Sequence, residues 1–195
     1  MSITTVAVYC ASSNQVHPDY FAAARRTGEL FARAGVAIVY GGGRNGLMGT
    51  LADSALAAGG HVTGVIPEFM MEVEWGHTAV SDLRVVPDMH TRTRTFLELA
   101  DGFVALPGGC GTFEELFQAL TWKRLGLHGG PVTLLNTRDY FAACVTLLEH
   151  SIAEGFMGDR HHEMWSVAQQ PEDLLPTLRA MPAWPEGARR FARLE

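Results

Sequence analysis

The sequence predicts an α/β fold, a doubly wound parallel sheet with helices on both faces. Three observations carry that prediction. Short apolar runs of strand length alternate with longer stretches whose apolar residues recur at helical spacing. Most of the short runs end in turns of small residues, as strand-to-helix connections require. Glycine supplies 21 of the 195 residues, roughly a tenth against about 7% in an average protein. No repeat, linker or low-complexity segment divides the chain, so residues 1–195 read as one domain with a peripheral tail from about 182.

Taken in order, residues 6–10 (Val-Ala-Val-Tyr-Cys) form the first strand and end in the polar turn 11–14. Asp19 is placed to cap a helix that carries Phe21, Ala24, Leu30 and Phe31 and that Gly35 ends. A second strand at 36–40 breaks at the glycine turn 41–46, and a small-residue helix at 47–58 closes on Gly59 and Gly60. The third strand is 62–66. Residues 67–81 then interrupt the rhythm, too long for an ordinary loop and bringing Phe69, Met70, Met71 and Trp75 among acids. Such a segment is a packed helical excursion, or else a lid or partner-facing element. A strand at 83–86 and a helix from about His90 to Ala100 lead to the central strand 103–106. Beyond it lie the turn 107–112, a helix with Phe113, Leu116, Phe117 and Leu120, a strand at 131–135, a helix at 140–154 and a helical stretch at 171–180.

Composition narrows the function. Apolar residues make up 47% and charged residues 18%, a balance that supports a packed core rather than disorder. The formal charge of −6 and the lack of a basic run argue against a nucleic-acid surface. No apolar stretch nears the roughly 20 residues of a membrane helix, and the first residues lack the charged lead of a signal peptide. Three widely spaced cysteines, Cys10, Cys110 and Cys144, suggest neither a disulfide framework nor a zinc site. The expectation is a cytoplasmic protein with no nucleic-acid or membrane partner. The adjacent pair His161-His162 lacks a metal-binding spacing, so no metal is expected.

Ligands of such sheets bind beyond the carboxyl ends of the strands, where three turns compete: 11–14, 41–46 and 107–112. Glycines there make tight turns, and they also let a ligand approach the backbone closely. Only at 107–112 do three glycines coincide with a helix start, where free N–H groups stabilise an anion such as phosphate. Neither the dinucleotide fingerprint nor the Walker loop is matched. Thr112 and Glu115 have the spacing of a capping box, which would give that carboxylate a purely structural use. Glu114 and Glu115 together, set beside a phosphate, suit a group further along the ligand: ribose hydroxyls, or an oxocarbenium-like centre. Arg92, at the start of the preceding helix, is a candidate for phosphate binding or for assisting a leaving base. Cys110 sits at a helix start that favours a thiolate, but no histidine accompanies it in sequence.

These residues resemble a known family. Pro107-Gly-Gly-Cys-Gly-Thr-Phe-Glu-Glu115 is similar to the PGGxGTxxE signature of the LONELY GUY proteins, cytokinin-activating phosphoribohydrolases. Cys10-Ala-Ser-Ser13 resembles the family's CGSS turn, and Tyr40-Gly-Gly-Gly-Arg-Asn-Gly-Leu-Met-Gly49 its YGGGxxGLMG turn. Gly64-Val-Ile-Pro67, Asp88-Met-His90, Thr121-Trp122 and Leu125-Gly-Leu-His128 follow in the expected order.

The resemblance implies a Rossmann-like fold, usually as a homodimer, and hydrolysis of the N-glycosidic bond of nucleoside 5′-monophosphates, especially N6-modified adenosine monophosphates. Free base and ribose 5-phosphate would be the products, with no cofactor. It implies Arg92 and Glu115 as the catalytic pair, and a phosphate cradle of Gly108, Gly109, Cys110, Gly111 and Thr112. Ser12, Ser13, Gly42, Gly43, Glu74, Glu114 and Thr121 would complete the substrate site. The family's Arg-Lys pair reads Arg92-Thr93 here, with Arg94 as the next cation. Relatives often carry the label lysine decarboxylase, but that chemistry needs a lysine for the pyridoxal phosphate Schiff base. The single lysine, Lys123, lies within a helix beside Trp122 and suits that role poorly. Related folds with the same glycine turn carry molybdenum cofactor, the non-catalytic alternative.

Overall fold

Seven strands lie side by side, each parallel to its neighbours, in a computed structural model that describes residues 2–71, 75–185 and 188. They are β1 (Thr5–Tyr9), β2 (Ala37–Tyr40), β3 (Val62–Pro67), β4 (Asp82–Val86), β5 (Gly102–Ala105), β6 (Val132–Leu135) and β7 (Ser166–Ala168). Between them run the helices α1 (Pro18–Arg33), α2 (Gly46–Ala57), α3 (Met89–Leu99), α4 (Cys110–Arg124) and α5 (Ala142–Ala153), with α6 (Leu174–Ala180) after the last strand. The sheet order is β4-β3-β2-β1-β5-β6-β7. The chain winds outward from β1 to β4, and α3 returns it to β5 on the other side of β1. Val6 accordingly faces Ile38 on one flank and Gly102 on the other. Where the winding reverses, between β1 and β5, successive connections leave toward opposite faces and a crevice opens at the strands' carboxyl ends.

Side chains alternate across the sheet and separate two cores. Val6 and Val8 join α1, α2 and α6 on one face, through Phe31, Leu51 and Leu174. Ala7 and Tyr9 join α3, α4 and α5 on the other, through Phe96, Leu116 and Leu148. Burial on both faces explains why β1, β2, β5 and β6 read as continuous apolar runs rather than as alternating ones. Among the described residues, no helix is long and apolar enough to cross a membrane.

Several elements differ from the sequence expectation. β7, three residues at the sheet edge, gives too short a run to be seen as a strand. Helix α1 is capped by His17, whose side chain accepts from the Asp19 N–H, so Asp19 is the second residue of the first turn rather than the cap. Among the described residues of the segment 67–81, Glu68–Met70 alone are helical; further on, the His77 N–H donates to the Gly42 carbonyl at 2.8 Å and its ring pairs with Asp53 at 2.9 Å. Of the tail expected to be peripheral from about 182, Trp184 and Ala188 are buried among the described residues.

Candidate active site

The crevice at the sheet reversal has a volume of about 330 Å³ and is lined by residues from the ends of β1, β2 and β5 and from α3 and α4. Its floor is set by competition between two helix starts. Both α2 and α4 begin at glycine turns, and each would offer free N–H groups. At α2 the protein has already used them: the Ala11 carbonyl accepts from Leu47 and Met48, and the Asn14 side chain accepts from Gly46. At α4 no side chain caps the helix, and Gly109 is the cap residue. Its loop carbonyls are taken from outside or from within the helix. Pro107 accepts from the Ala11 N–H at 3.3 Å, and Gly109 from Phe113 at 3.1 Å. Among the described residues, the N–H groups of Gly109, Cys110, Gly111 and Thr112 have no such partner, and all four residues line the crevice. The start of α4 therefore offers donors of the kind that stabilise an anion, and the start of α2 does not.

This start of α4 corrects the capping box. Thr112 is the third residue inside the helix, buried, and is not its cap, so Thr112 and Glu115 do not form the capping box that their spacing suggests. Thr112 packs instead against the loop, where a Cβ on Gly108 would run into its side chain.

Opposite the free N–H groups stands an ion pair. Arg92 Nη1 is 2.9 Å from Glu115 Oε1, and each side chain is about 7% exposed. Helix α3 delivers the arginine because Asp88 caps it, accepting from the Thr91 N–H at 2.7 Å. The guanidinium also donates through Nε to the Val65 carbonyl at 3.0 Å and through Nη2 to the Gly41 carbonyl at 3.4 Å. Phe96 lies beneath it, 5.2 Å from ring centre to guanidinium carbon. A Cβ on Gly41 would sit 2.5 Å from Nη2, so a side chain there would displace the guanidinium. Tyr9 packs edge-on to Phe96, and burial first, then the Glu115 charge, holds its phenol well above the usual tyrosine range.

Of the residues singled out in the sequence, Ser12, Ser13, Arg92, Gly109, Cys110, Gly111, Thr112 and Glu115 meet around this crevice. Others do not reach it. Gly42 and Gly43 turn aside to His77 and to a bridge with Gly76, and it is Gly41 that lines the wall. Glu114 is exposed, and Thr121 belongs to a separate groove with Phe117, Leu148 and Phe156. Glu74 lies outside the described residues. Thr93, standing where the resemblance expects lysine, is buried with its hydroxyl on the Met89 carbonyl, while Arg94 is exposed and does not line the crevice. Sequence reasoning did not place Met48, Met70 and Met89 in the site, where they form an apolar part of the crevice wall. Met48 and Met89 were each inside a quoted motif, which was the available signal.

A family model described as "Possible lysine decarboxylase" matches residues 48–178. A cytokinin riboside 5′-monophosphate phosphoribohydrolase of Rhodococcoides fascians is 41% identical over 177 residues, covering 90% of this chain and 89% of the relative. Another of that name from Arabidopsis thaliana is 36% identical over 173 residues, covering 89% and 80%. Among solved structures, the Moco carrier protein of Chlamydomonas reinhardtii has a TM-score of 0.69 at 22% identity, covering 92% of this chain and 98% of that one. At that identity the likeness is one of fold. The decarboxylase description does not fit the crevice. Lys123 is buried elsewhere, 5.7 Å over the Trp184 ring, and does not line it, so no lysine is placed to form a Schiff base.

Proposed function

The chain belongs to the family of the cytokinin riboside 5′-monophosphate phosphoribohydrolases, and from that premise we propose how its crevice carries out their reaction. The enzyme hydrolyses the N-glycosidic bond of adenosine 5′-monophosphates, N6-modified ones included, and releases free base and ribose 5-phosphate. In our reading the 5′-phosphate binds the N–H groups of residues 109–112, and this binding orients the ribose for reaction. Glu115 accepts from the ribose hydroxyls and stabilises the positive charge that grows at C1′ as the bond to the base lengthens. Water adds its oxygen to C1′, and the departing base leaves with one of the water's protons.

Arg92 assists by hydrogen bonding and charge. Its ties to Glu115, Val65 and Gly41 support a main role in holding Glu115 toward the ribose. The remaining N–H donors can meet the base. The single observation that carries this reading is the buried Arg92–Glu115 pair facing unpaired N–H groups across one crevice.

We also propose a cytoplasmic homodimer. Cysteines 10, 110 and 144, which form no disulfide among the described residues, suit a reducing compartment, and exposed Phe69, Trp75 and Phe156 suit an interface. Sedimentation giving only monomer at micromolar concentration contradicts the dimer. The activity is tested by incubating the protein with AMP and with N6-isopentenyl-AMP and measuring base and ribose 5-phosphate. Equal amounts of the two products are expected. Tight binding without base release would turn the reading to a nucleotide or molybdenum-cofactor carrier, which the shared fold accommodates.

A further inference from the structure

We propose that Tyr140 is a positioning residue of the phosphate cradle, its hydroxyl holding the Gly108 carbonyl so that the Gly109 N–H points into the crevice. The inference rests on the reading of the α4 start as the phosphate site. The Tyr140 hydroxyl donates to the Gly108 carbonyl, across 32 positions of sequence. In a trans peptide the C=O and the following N–H point in opposite directions. Fixing the carbonyl outward therefore aims the next N–H inward, and Gly109 lines the crevice while Gly108 does not. The control is needed because the peptide lies between two glycines, which rotate more freely than any other pair. Ala11 holds the preceding carbonyl, of Pro107, in the same way.

The tyrosine itself is held firmly. Its ring stacks on Phe113, 6.3 Å between centres and 13° between planes, and meets Tyr20 and Phe141 edge-on. It follows a bend in which two successive non-glycine residues, Arg138 and Asp139, both have φ of 58°. That conformation is unfavourable and persists only where its surroundings impose it. Here Asn136 imposes it: the side-chain oxygen accepts from the Phe141 N–H at 2.8 Å, and the amide donates to Asp139 at 3.2 Å. Arg138 adds a bond to Asp19 at 3.0 Å. A strained bend kept in place by a buried asparagine, ending in a hydroxyl on the phosphate loop, is what a positioning device requires.

The test compares AMP and adenosine affinities, by calorimetry, in the wild type and in Tyr140→Phe, which keeps the ring and removes the donor. The wild type should prefer AMP. The variant should lose about tenfold in AMP affinity while adenosine affinity stays within about twofold. Asn136→Ser, which loosens the bend from behind, should reduce the same preference. A lower melting temperature with the AMP preference intact in both variants means a merely structural role and overturns the inference. A wild type with no preference for AMP overturns it together with the cradle. Base release is scored separately: a wild type that prefers AMP but releases no base loses the hydrolase reading, while the affinity ratio still decides the role of Tyr140.

Discussion

Arg92 Nη1 and Glu115 Oε1 lie 2.9 Å apart with both side chains buried, so α3 and α4 are joined by charge beside the crevice. Removing one member of such a pair leaves the other buried and uncompensated, at a cost of about 3–5 kcal/mol. Arg92→Ala should therefore lower stability by an amount of that order and abolish base release. Arg92→Lys keeps the charge but not the planar fork that reaches Val65, Gly41 and Glu115 together, so it should stay folded and lose roughly a hundredfold in kcat. Denaturant melts and turnover of the two variants check this, and full activity in Arg92→Lys would contradict it.

Gly41 tests the same geometry from the other wall. An added methyl would sit 2.5 Å from Arg92 Nη2 and 2.7 Å from the Met48 sulfur. Met48 has rotamers to spare, but the guanidinium is tied, so Gly41→Ala should displace it. The expected result is a loss in kcat of at least about tenfold with only a modest stability change, about 1–3 kcal/mol. Unchanged turnover would show that Arg92 has more freedom than its contacts indicate.

Thr112 separates the anion cradle from the capping box. If it capped α4, Thr112→Val would cost about 1 kcal/mol of stability, seen as a drop of roughly 2–4 °C in Tm. Since the helix starts at Cys110 with Gly109 as its cap, the variant should instead melt within about 1 °C of the wild type, and losing a hydroxyl that would serve the phosphate beside the N–H groups should raise KM for the nucleotide several-fold. A melting loss with unchanged KM would restore the capping role.

Lys123 predicts a pH dependence. Burial lowers its ammonium from 10.5 to about 8, and among the described residues its Nζ has no hydrogen-bond partner. Below about pH 8 the folded and unfolded states both carry the proton, and the cost of burying the charge is constant. Between about 8 and 10.5 the folded state has released the proton while the unfolded state keeps it, so stability rises with pH. The separation corresponds to roughly 3 kcal/mol. Lys123→Met removes the titrating group, so its stability advantage should be greatest near neutral pH and shrink by about that amount by roughly pH 11. Parallel denaturant melts of the two proteins across this range check it. A constant difference would show that Lys123 is not buried as a charge.

How much was legible in the sequence depended on whether the signal was local. The strands of the sheet interior announced themselves because burial on both faces demands unbroken apolar runs, as in Val104 and Leu134; β7, with Ser166 at an edge, had no such demand. The glycine turns were visible, and three glycines at a helix start singled out 107–112, but not the reason that the turn before α2 is closed. That reason lies in Ala11 and Asn14 occupying the start of α2, contacts between residues more than 30 positions apart. The capping-box spacing misled because the helix begins two residues before Thr112, where glycines offer no side-chain cap. Arg92 and Glu115 were each picked out by motif, yet their contact and the role of Tyr140 depend on tertiary placement that spacing does not encode.

The central claim is that Glu115 acts on the ribose rather than on its own helix. It is tested most directly by the turnover of N6-isopentenyl-AMP by Glu115→Gln, with Tm measured on the same sample. Glutamine keeps the shape and removes the charge that faces C1′ in this account. The predicted result is a folded protein whose kcat falls by about a hundredfold or more while nucleotide binding persists. Wild-type turnover in a folded Glu115→Gln protein would contradict the account.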